Sequence, residues 1–495
     1  MKTLLFWVFS LATGVYGFRC TPTETRPKCR LSLFRKEEAM TDRRKLLQST
    51  AAGLLAATTY PASSHAATTD FLVPTPKFDP DMNWPLGKVA FSLLPLQGGA
   101  QRATVETCIV PGQIWTYDQI QGIVNVNVPV RQTVIALQGG GLWVHNPVAP
   151  TPQLRHMMEQ LIQQYGPIKH IVLGSVAVEH KATFGAFASY YPGATVWLQP
   201  GQWSFPVSLP IKFLGVRQRG QRLRELPVAG RGVTSTAYAA QAQRNPVPEW
   251  SSEIEMETLG PLTFRSVGAF SETVFYHKAT KTLLVTDLVG RVSDEPPAIL
   301  QQDPRALLYH ARNKATDAVE DTPAARRKGW RRMALFGLVF FPSQITVSSV
   351  SQAFAEAKQV PASLRNLGSG AVPFQLYPWS WPENDVDLQN FNAFKNKLFC
   401  PPILTQLILN REVDRTLTFV DRVATRFSGM KRIIPGHLDN NIPATANDFS
   451  KAFGSLRKCD APPGPLKNDL NLLQSVSKEF TKLGIVAPDG VCRDV

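Results

Sequence analysis

Residues 168–198 constrain the fold more than any other stretch. A largely apolar run, Ile168–Leu173, ends at Gly174 and is followed by Ser175-Val176-Ala177-Val178-Glu179-His180. Six such residues between Gly166-Pro167 and a glycine read as a buried strand. A helix is expected over about 183–191, stopped by Pro192-Gly193, and a second strand over Thr195–Leu198. Strand, loop bearing an acid and an imidazole, helix, strand is a βαβ unit, which favours an α/β core.

The flanking sequence extends that pattern. Upstream, strands are expected at 89–94, 104–110, 114–117 and 133–136, then Gly139-Gly140-Gly141 as a turn and Leu142–His145 as a strand. Thr151 is placed to cap a helix starting at Pro152, with Leu154, Met157, Met158, Leu161 and Ile162 at helical spacing. Downstream, a hairpin is expected from 254–258 and 262–266 around Leu259-Gly260-Pro261. A second pair, 273–277 and 283–286, turns at 278–281 and delivers Asp287. Residues 295–345 read as helical, 372–382 as an aromatic loop in the core or covering it, and 402–410 and 414–427 as helices. A strand at 431–434 ends in Pro435-Gly436-His437, and residues 461–495 form a polar tail with one amphipathic helix. His145 and His277 read as structural histidines.

Composition narrows the class. An apolar share of 44% in 495 residues is globular. The net charge is +15, but the first 66 residues hold ten basic against four acidic side chains, leaving about +9 for the rest. That is too dilute for a nucleic-acid-binding stripe. One dense patch, Lys212, Arg217, Arg219, Arg222, Arg224 and Arg231, reads either as a solvated loop or as a rim drawing in an anionic substrate, lipid or partner surface. The six cysteines have no metal-clip spacing, and a Cys459–Cys492 bridge is left open. Thiol chemistry through Cys108 or Cys400 has no partner motif. No segment of the mature chain reads as transmembrane, since the most apolar candidate, 333–341, spans nine residues before Pro342.

Residues 1–66 read as addresses rather than fold. Residues 1–17 have the basic start and short apolar core of a signal peptide, with Phe18 just beyond it. Residues 18–40 are basic and hydroxylated like a transit segment; that order resembles import into plastids of secondary endosymbiotic origin. Residues 41–66, with Arg43-Arg44 before an apolar stretch and Ser64-His65-Ala66 at the cleavage position, look like a twin-arginine signal. The expected destination is the thylakoid lumen, with the stroma as the alternative. A lead-in follows at 67–84.

With the octet, Asp287 and Pro-Gly-His437 in that order, the chain resembles the metallo-β-lactamase superfamily. It is similar in particular to an uncharacterised family of such proteins in plants, algae and cyanobacteria, known only as a domain of unknown function. The phrases carrying that match are L-W-V-H-N-P-V-A-P-T at 142–151, V-F-Y-H-K-A-T-K-T-L-L-V-T-D-L at 274–288, R-R-K-G-W-R-R-M-A-L-F at 326–336 and R-I-I-P-G-H-L-D at 432–439. The resemblance covers about residues 85–460.

It implies a four-layer αβ/βα sandwich with a helical insertion at 295–345 and the site at the edge between two sheets. It also implies that Ser175 and Ala177 stand where active members have the two histidines of H-x-H, so the first-metal site is lost. Glu179, His180, Asp287 and His437 stand at the second-metal positions and would hold one divalent ion, zinc, manganese or iron, or none. Two readings follow: a mononuclear hydrolase acting on a small anionic ester, thioester, phosphoester or amide, or a non-catalytic member acting in binding or assembly with a thylakoid protein.

Overall fold

The computed structural model describes residues 78–84, 101–123, 125–202, 222–227, 247–263, 269–339, 342–360, 375–458, 466–484 and 486–490. The leader, the strand expected at 89–94, Lys212, Arg217, Arg219, Arg231, Cys459 and Cys492 lie outside the described residues. One sheet runs β1 (Val105–Val110), β2 (Ile114–Ile123), β3 (Val126–Ala136), β4 (Leu142–His145), β5 (Ile168–Leu173), β6 (Thr195–Leu198) and β7 (Arg222–Glu225), in that order across the sheet. Pairing is antiparallel from β1 to β4 and parallel from β4 to β7. The second sheet contains β8 (Ile254–Thr263), β9 (Ala269–His277) and β10 (Thr282–Leu284). A separate ribbon pairs β11 (Thr346–Val347) with β12 (Trp379–Ser380). Strands β13 (Arg432–Ile434) and β14 (Ile442–Pro443) complete the second sheet in the order β14-β13-β10-β9-β8.

Helices α1 (Pro152–Tyr165) and α2 (Val178–Tyr190) follow β4 and β5. Helices α3 (Ala298–Gln302), α4 (Arg305–Ala311) and α5 (Pro323–Val339) form the insertion after β10, and α6 (Val413–Arg426) and α7 (Lys467–Lys482) lie later. Side chains alternate faces along a strand, and here that alternation assigns every layer. Trp143, Val172 and Trp197 share one buried cluster with Ile254, Phe275, Leu284 and Ile434, so these faces of the two sheets pack on each other. One residue along, Val144, Ile171 and Val196 pack instead against Leu154, Met158, Phe184 and Phe187 of α1 and α2. Val274, Leu283 and Ile433 pack outward against Phe419, Val420 and Val423 of α6. The layers are helix, sheet, sheet, helix: the expected αβ/βα sandwich. Each large apolar side chain buried between them contributes about 1.5–3 kcal/mol.

Helix α1 begins as its sequence specifies. Pro152 takes the first turn and the Thr151 hydroxyl accepts from the Leu154 N–H at 3.2 Å. Gly166, at φ 94, ends it in a conformation that disfavours side chains.

Elsewhere the structure corrects the expectations. Helix α2 starts at Val178, five residues before the position expected, and puts Glu179 and His180 in its first turn. No capping side chain marks that start, and Glu179 near the positive helix end is its one local signal. The expected hairpin around Gly260 is a single strand: β8 continues through it and pairs with β9, with a bulge between Leu259 and Leu262. The insertion is helical as expected, in three helices of 5, 7 and 17 residues. Tyr377, Trp379 and Trp381 of the aromatic segment pack with Tyr309 and Phe336 as the insertion's own core. Helix α7 buries Leu470, Leu473, Val476 and Phe480 in the cluster that covers the second sheet. Among the described residues, no helix is long and apolar enough to cross a membrane.

Candidate metal centre

Three strand ends meet at one edge of the sandwich. Strand β5 leads into Ser175 and α2, and the parallel strands β10 and β13 lead into Asp287 and His437. In α/β sheets, ligands gather at the carboxyl ends of parallel strands. The loop after β5 is joined to the opposite sheet: the Thr273 N–H donates to the Gly174 carbonyl at 2.8 Å and the Val176 N–H to the Ser271 carbonyl at 3.2 Å. The Asn146 side chain ties the same layers, donating to Thr286 Oγ1 at 2.9 Å and accepting from the Gly174 N–H at 3.1 Å.

Close approach requires glycine twice. A Cβ on Gly174 would stand 2.6 Å from His145 Nε2, and one on Gly436 would stand 2.9 Å from the Thr286 carbonyl oxygen and 3.3 Å from His180 Cε1.

One ligand atom from each of Glu179, His180, Asp287 and His437 lies within 4.8 Å of all the others. The two Nε2 atoms are 3.1 Å apart. Asp287 Oδ1 is 3.1 Å from His437 Nε2 and 3.8 Å from His180 Nε2, and Glu179 Oε1 is 4.0 Å from His437 Nε2. The edge of a zinc tetrahedron with bonds of about 2.0–2.1 Å is roughly 3.3–3.4 Å. Three of these separations lie within about half an ångström of that edge, and Glu179 is the outlying corner.

Donor chemistry gives an independent test of fit. His437 Nδ1 lies 2.9 Å from the Pro129 carbonyl, an acceptor without a proton, so Nδ1 carries the hydrogen. In the neutral ring Nε2 then presents a lone pair to two carboxylates. Such a cluster of acceptors calls for a proton or a cation at its centre. Burial works against charge on His437, but Asp287, Glu179 and the Pro129 carbonyl outweigh it and raise its pKa. Burial raises that of Asp287, and the hydrogen bonds from His180 and from His437 in its protonated form reverse this, holding it well below the usual carboxylate range. The residues fit a single divalent cation.

Ser175 borders the cluster. Its hydroxyl donates to Asp287 Oδ2 at 3.3 Å and accepts from the Ala177 N–H at 3.0 Å. Asp287 is thereby divided, with Oδ2 on Ser175 and Oδ1 facing the histidines. Ala177 has no donor atom to offer and serves as the N-cap position of α2.

Sequence reasoning missed Glu272 on β9. Fully buried, it accepts the Thr286 N–H at 2.7 Å and the Asp287 N–H at 2.9 Å, one on each oxygen. Burial and then the charge of Asp287 raise its pKa. It fixes the backbone that presents Asp287. The available signal was an acid inside the apolar strand A-F-S-E-T-V-F-Y, where a charge needs a partner.

Most of the proposed basic rim lies outside the described residues. Of its described members, Arg222 and Arg224 lie on β7, two strands from β5, with the Arg224 guanidinium over the Trp197 ring at 5.5 Å. His145 is buried and stacked on Trp143, with its pKa pushed down to about 3 by burial and by His180. His277 is bonded to Thr280 at 2.8 Å. Among the described cysteines, Cys108 is exposed and Cys400 buried, and both are free.

Residues 111–454 match the sequence family described as a domain of unknown function (DUF4336). No curated protein matches the chain. Among solved structures, a metallo-beta-lactamase from Pontibacter korlensis is similar at 10% identity and TM-score 0.31, over 71% of this chain and 99% of that one. The metallo-beta-lactamase FIM-1 from Pseudomonas aeruginosa, in a mono-zinc form, is similar at 9% identity and TM-score 0.31, over 72% and 97%. A metal-soaked Flv1 flavodiiron core from Synechocystis gives 12% identity and TM-score 0.27, over 76% and 82%. These likenesses add no functional assignment to the two sheets and four layers of the chain itself.

Proposed function

The chain belongs to the DUF4336 family, and we propose that it is a metallo-β-lactamase-like hydrolase with a single divalent metal in its site. The observation that carries this reading is the convergence of Glu179, His180, Asp287 and His437 from three strand ends. Two imidazoles and two carboxylates suit zinc, manganese or iron. A cation held there supplies Lewis acidity toward a carbonyl or phosphoryl oxygen and lowers the pKa of water. The chain's own groups do the rest: Ser175 and Glu272 hold Asp287, and the Pro129 carbonyl holds the His437 ring. The substrate class is an ester, thioester, amide or phosphoester, anionic if the basic segment 212–224 borders the entrance.

Metal analysis of the purified full chain after zinc, manganese or iron loading tests the reading. About one ion per chain is expected, lost in a folded Asp287→Ala variant. A folded wild type that takes up none of the three metals contradicts it.

A second reading is favoured by one observation: Ser175 and Ala177, in the turn before the first two ligand-type residues, offer no imidazole for a second ion. A protein of that kind binds or assembles with a thylakoid partner without turnover. Metal-loaded chain that hydrolyses none of the four substrate types supports it; hydrolysis abolished by Asp287→Ala contradicts it.

The leader supports a thylakoid-lumen site of action in a plastid of secondary origin. A fluorescent fusion of residues 1–66 should reach the lumen, and substitution of Arg43 and Arg44 by lysine should arrest it in the stroma. Secretion or cytosolic retention of the intact leader fusion contradicts this.

A further inference from the structure

Arg131 lies on β3 of the first sheet, yet its guanidinium grips the turn after β13 of the second. It is 1% exposed. All five of its N–H donors are used. Nε and Nη2 donate to the two carboxylate oxygens of Asp118 at 2.7 and 2.9 Å. Nη1 donates to the carbonyls of Pro435 at 2.7 Å and Asp439 at 3.3 Å, and Nη2 donates to that of Leu438 at 3.0 Å.

That turn contains His437. Leu438 adopts φ 61, a left-handed conformation that costs a side-chain-bearing residue about 1–2 kcal/mol. Such strain persists where the surroundings over-determine it, and three carbonyls bound to one fixed fork do so. The Asp439 carboxylate anchors the far side, accepting from Arg291 Nε at 2.8 Å and from the Ser293 hydroxyl at 2.9 Å. Two residues before Arg131, the Pro129 carbonyl receives the His437 Nδ1–H. A single strand of one sheet therefore sets both the path of the turn and the ring orientation of a residue delivered by the other.

We infer that Arg131, neutralised by Asp118, is a positioning residue that holds His437 in metal-binding geometry. The inference rests on the proposed metal site. Lysine keeps the charge but presents one compact head in place of the planar fork, so it cannot bind Asp118 and three carbonyls together. Groups that orient a ligand typically change metal affinity by about 10–100-fold when removed.

The test compares the full chain with Arg131→Lys and Asp118→Asn, using zinc alone for affinity and cobalt alone for ligand-field absorption. Circular dichroism and thermal unfolding of the metal-free proteins report folding. Arg332→Lys serves as the control: Arg332 is equally buried but caps the carbonyls of 310–312 in the insertion. The expected result is that Arg131→Lys folds, binds zinc about 10–100-fold more weakly and has altered cobalt absorption, with Asp118→Asn changed in the same direction. Arg332→Lys should lose thermal stability with unchanged zinc affinity and cobalt absorption. Wild-type zinc affinity and cobalt absorption in both folded clasp variants would overturn the inference. So would failure of both to fold while Arg332→Lys folds, since the clasp would then serve the fold alone. Absence of metal in the wild type would instead remove the reading beneath it.

Discussion

The Nε2 atoms of His180 and His437 stand 3.1 Å apart across 257 residues of chain. The Pro129 carbonyl takes the other ring proton of His437 at 2.9 Å, so the nitrogen facing His180 is its acceptor. With Asp287 Oδ1 also 3.1 Å away, the arrangement concentrates lone pairs that a cation would satisfy.

Ser175→Ala should leave the fold intact and weaken zinc binding by about tenfold, the lower end of what a group orienting a ligand contributes. The hydroxyl holds the second oxygen of Asp287, which the alanine leaves free to rotate. Zinc titration against a competing chelator measures it; unchanged affinity would show that Asp287 needs no help from Ser175.

Gly436→Ala should abolish tight metal binding at a smaller cost in stability. The new methyl stands 2.9 Å from the Thr286 carbonyl and 3.3 Å from His180, so the strand ends must separate. Stability should fall by about 1–3 kcal/mol, as for other overpacked sites. Chemical denaturation and zinc titration on the same preparation separate the two effects.

Gly329→Ala should do the reverse. Its Cβ would fall 1.8 Å from the Leu307 carbonyl oxygen, forcing α5 away from α4 in the insertion. A loss of about 3 kcal/mol or more is expected, given backbone rather than side-chain obstruction. Zinc affinity of the folded fraction should not change.

His170 and His310 should each cost the metal-free chain stability in mild acid, while the raised pKa values of Glu272 and His437 act in the opposite direction. Burial holds His170 down to about 4 and His310 down to about 3. In the unfolded chain each titrates near 6.5. Between those values the unfolded state binds more protons, so stability is full above about pH 6.5 and falls as pH drops toward 4. At pH 5.5 the loss should be roughly 1–1.5 kcal/mol per histidine. Urea unfolding at pH 7.5 and 5.5 measures the change, and between these pH values His310→Gln should lack the contribution of that one histidine, about 1–1.5 kcal/mol relative to wild type.

The legible parts of the fold are those encoded locally. Thr151, Pro152 and Gly166 bound α1 because each acts on the backbone beside it. The apolar run before Gly174 announces β5, and the run that stops at Pro435-Gly436 announces β13. The start of α2 was obscured because Ala177 makes no capping bond and the turn depends on Ser175 and its long-range partners. Leu259-Gly260-Pro261 has turn composition, but pairing with β9 continues past it and makes it a bulge.

At the site, the ligand-type residues could be named through the family resemblance, which their order at strand ends carries. The groups holding them could not. Glu272 and Arg131 look like isolated charges in their strands: Glu272 pairs with backbone N–H groups across a hairpin, and Arg131, besides Asp118, pairs with carbonyls some 300 residues away. The interaction of Arg131 with three carbonyls exists only after the two sheets have closed.

The most direct test is anomalous diffraction from crystals of the zinc-loaded chain. One peak per chain is expected, about 2.0–2.2 Å from His180 Nε2, His437 Nε2, an Asp287 oxygen and a Glu179 oxygen. A zinc-loaded crystal with no peak at these four side chains, the rest of the fold being intact, would contradict the account.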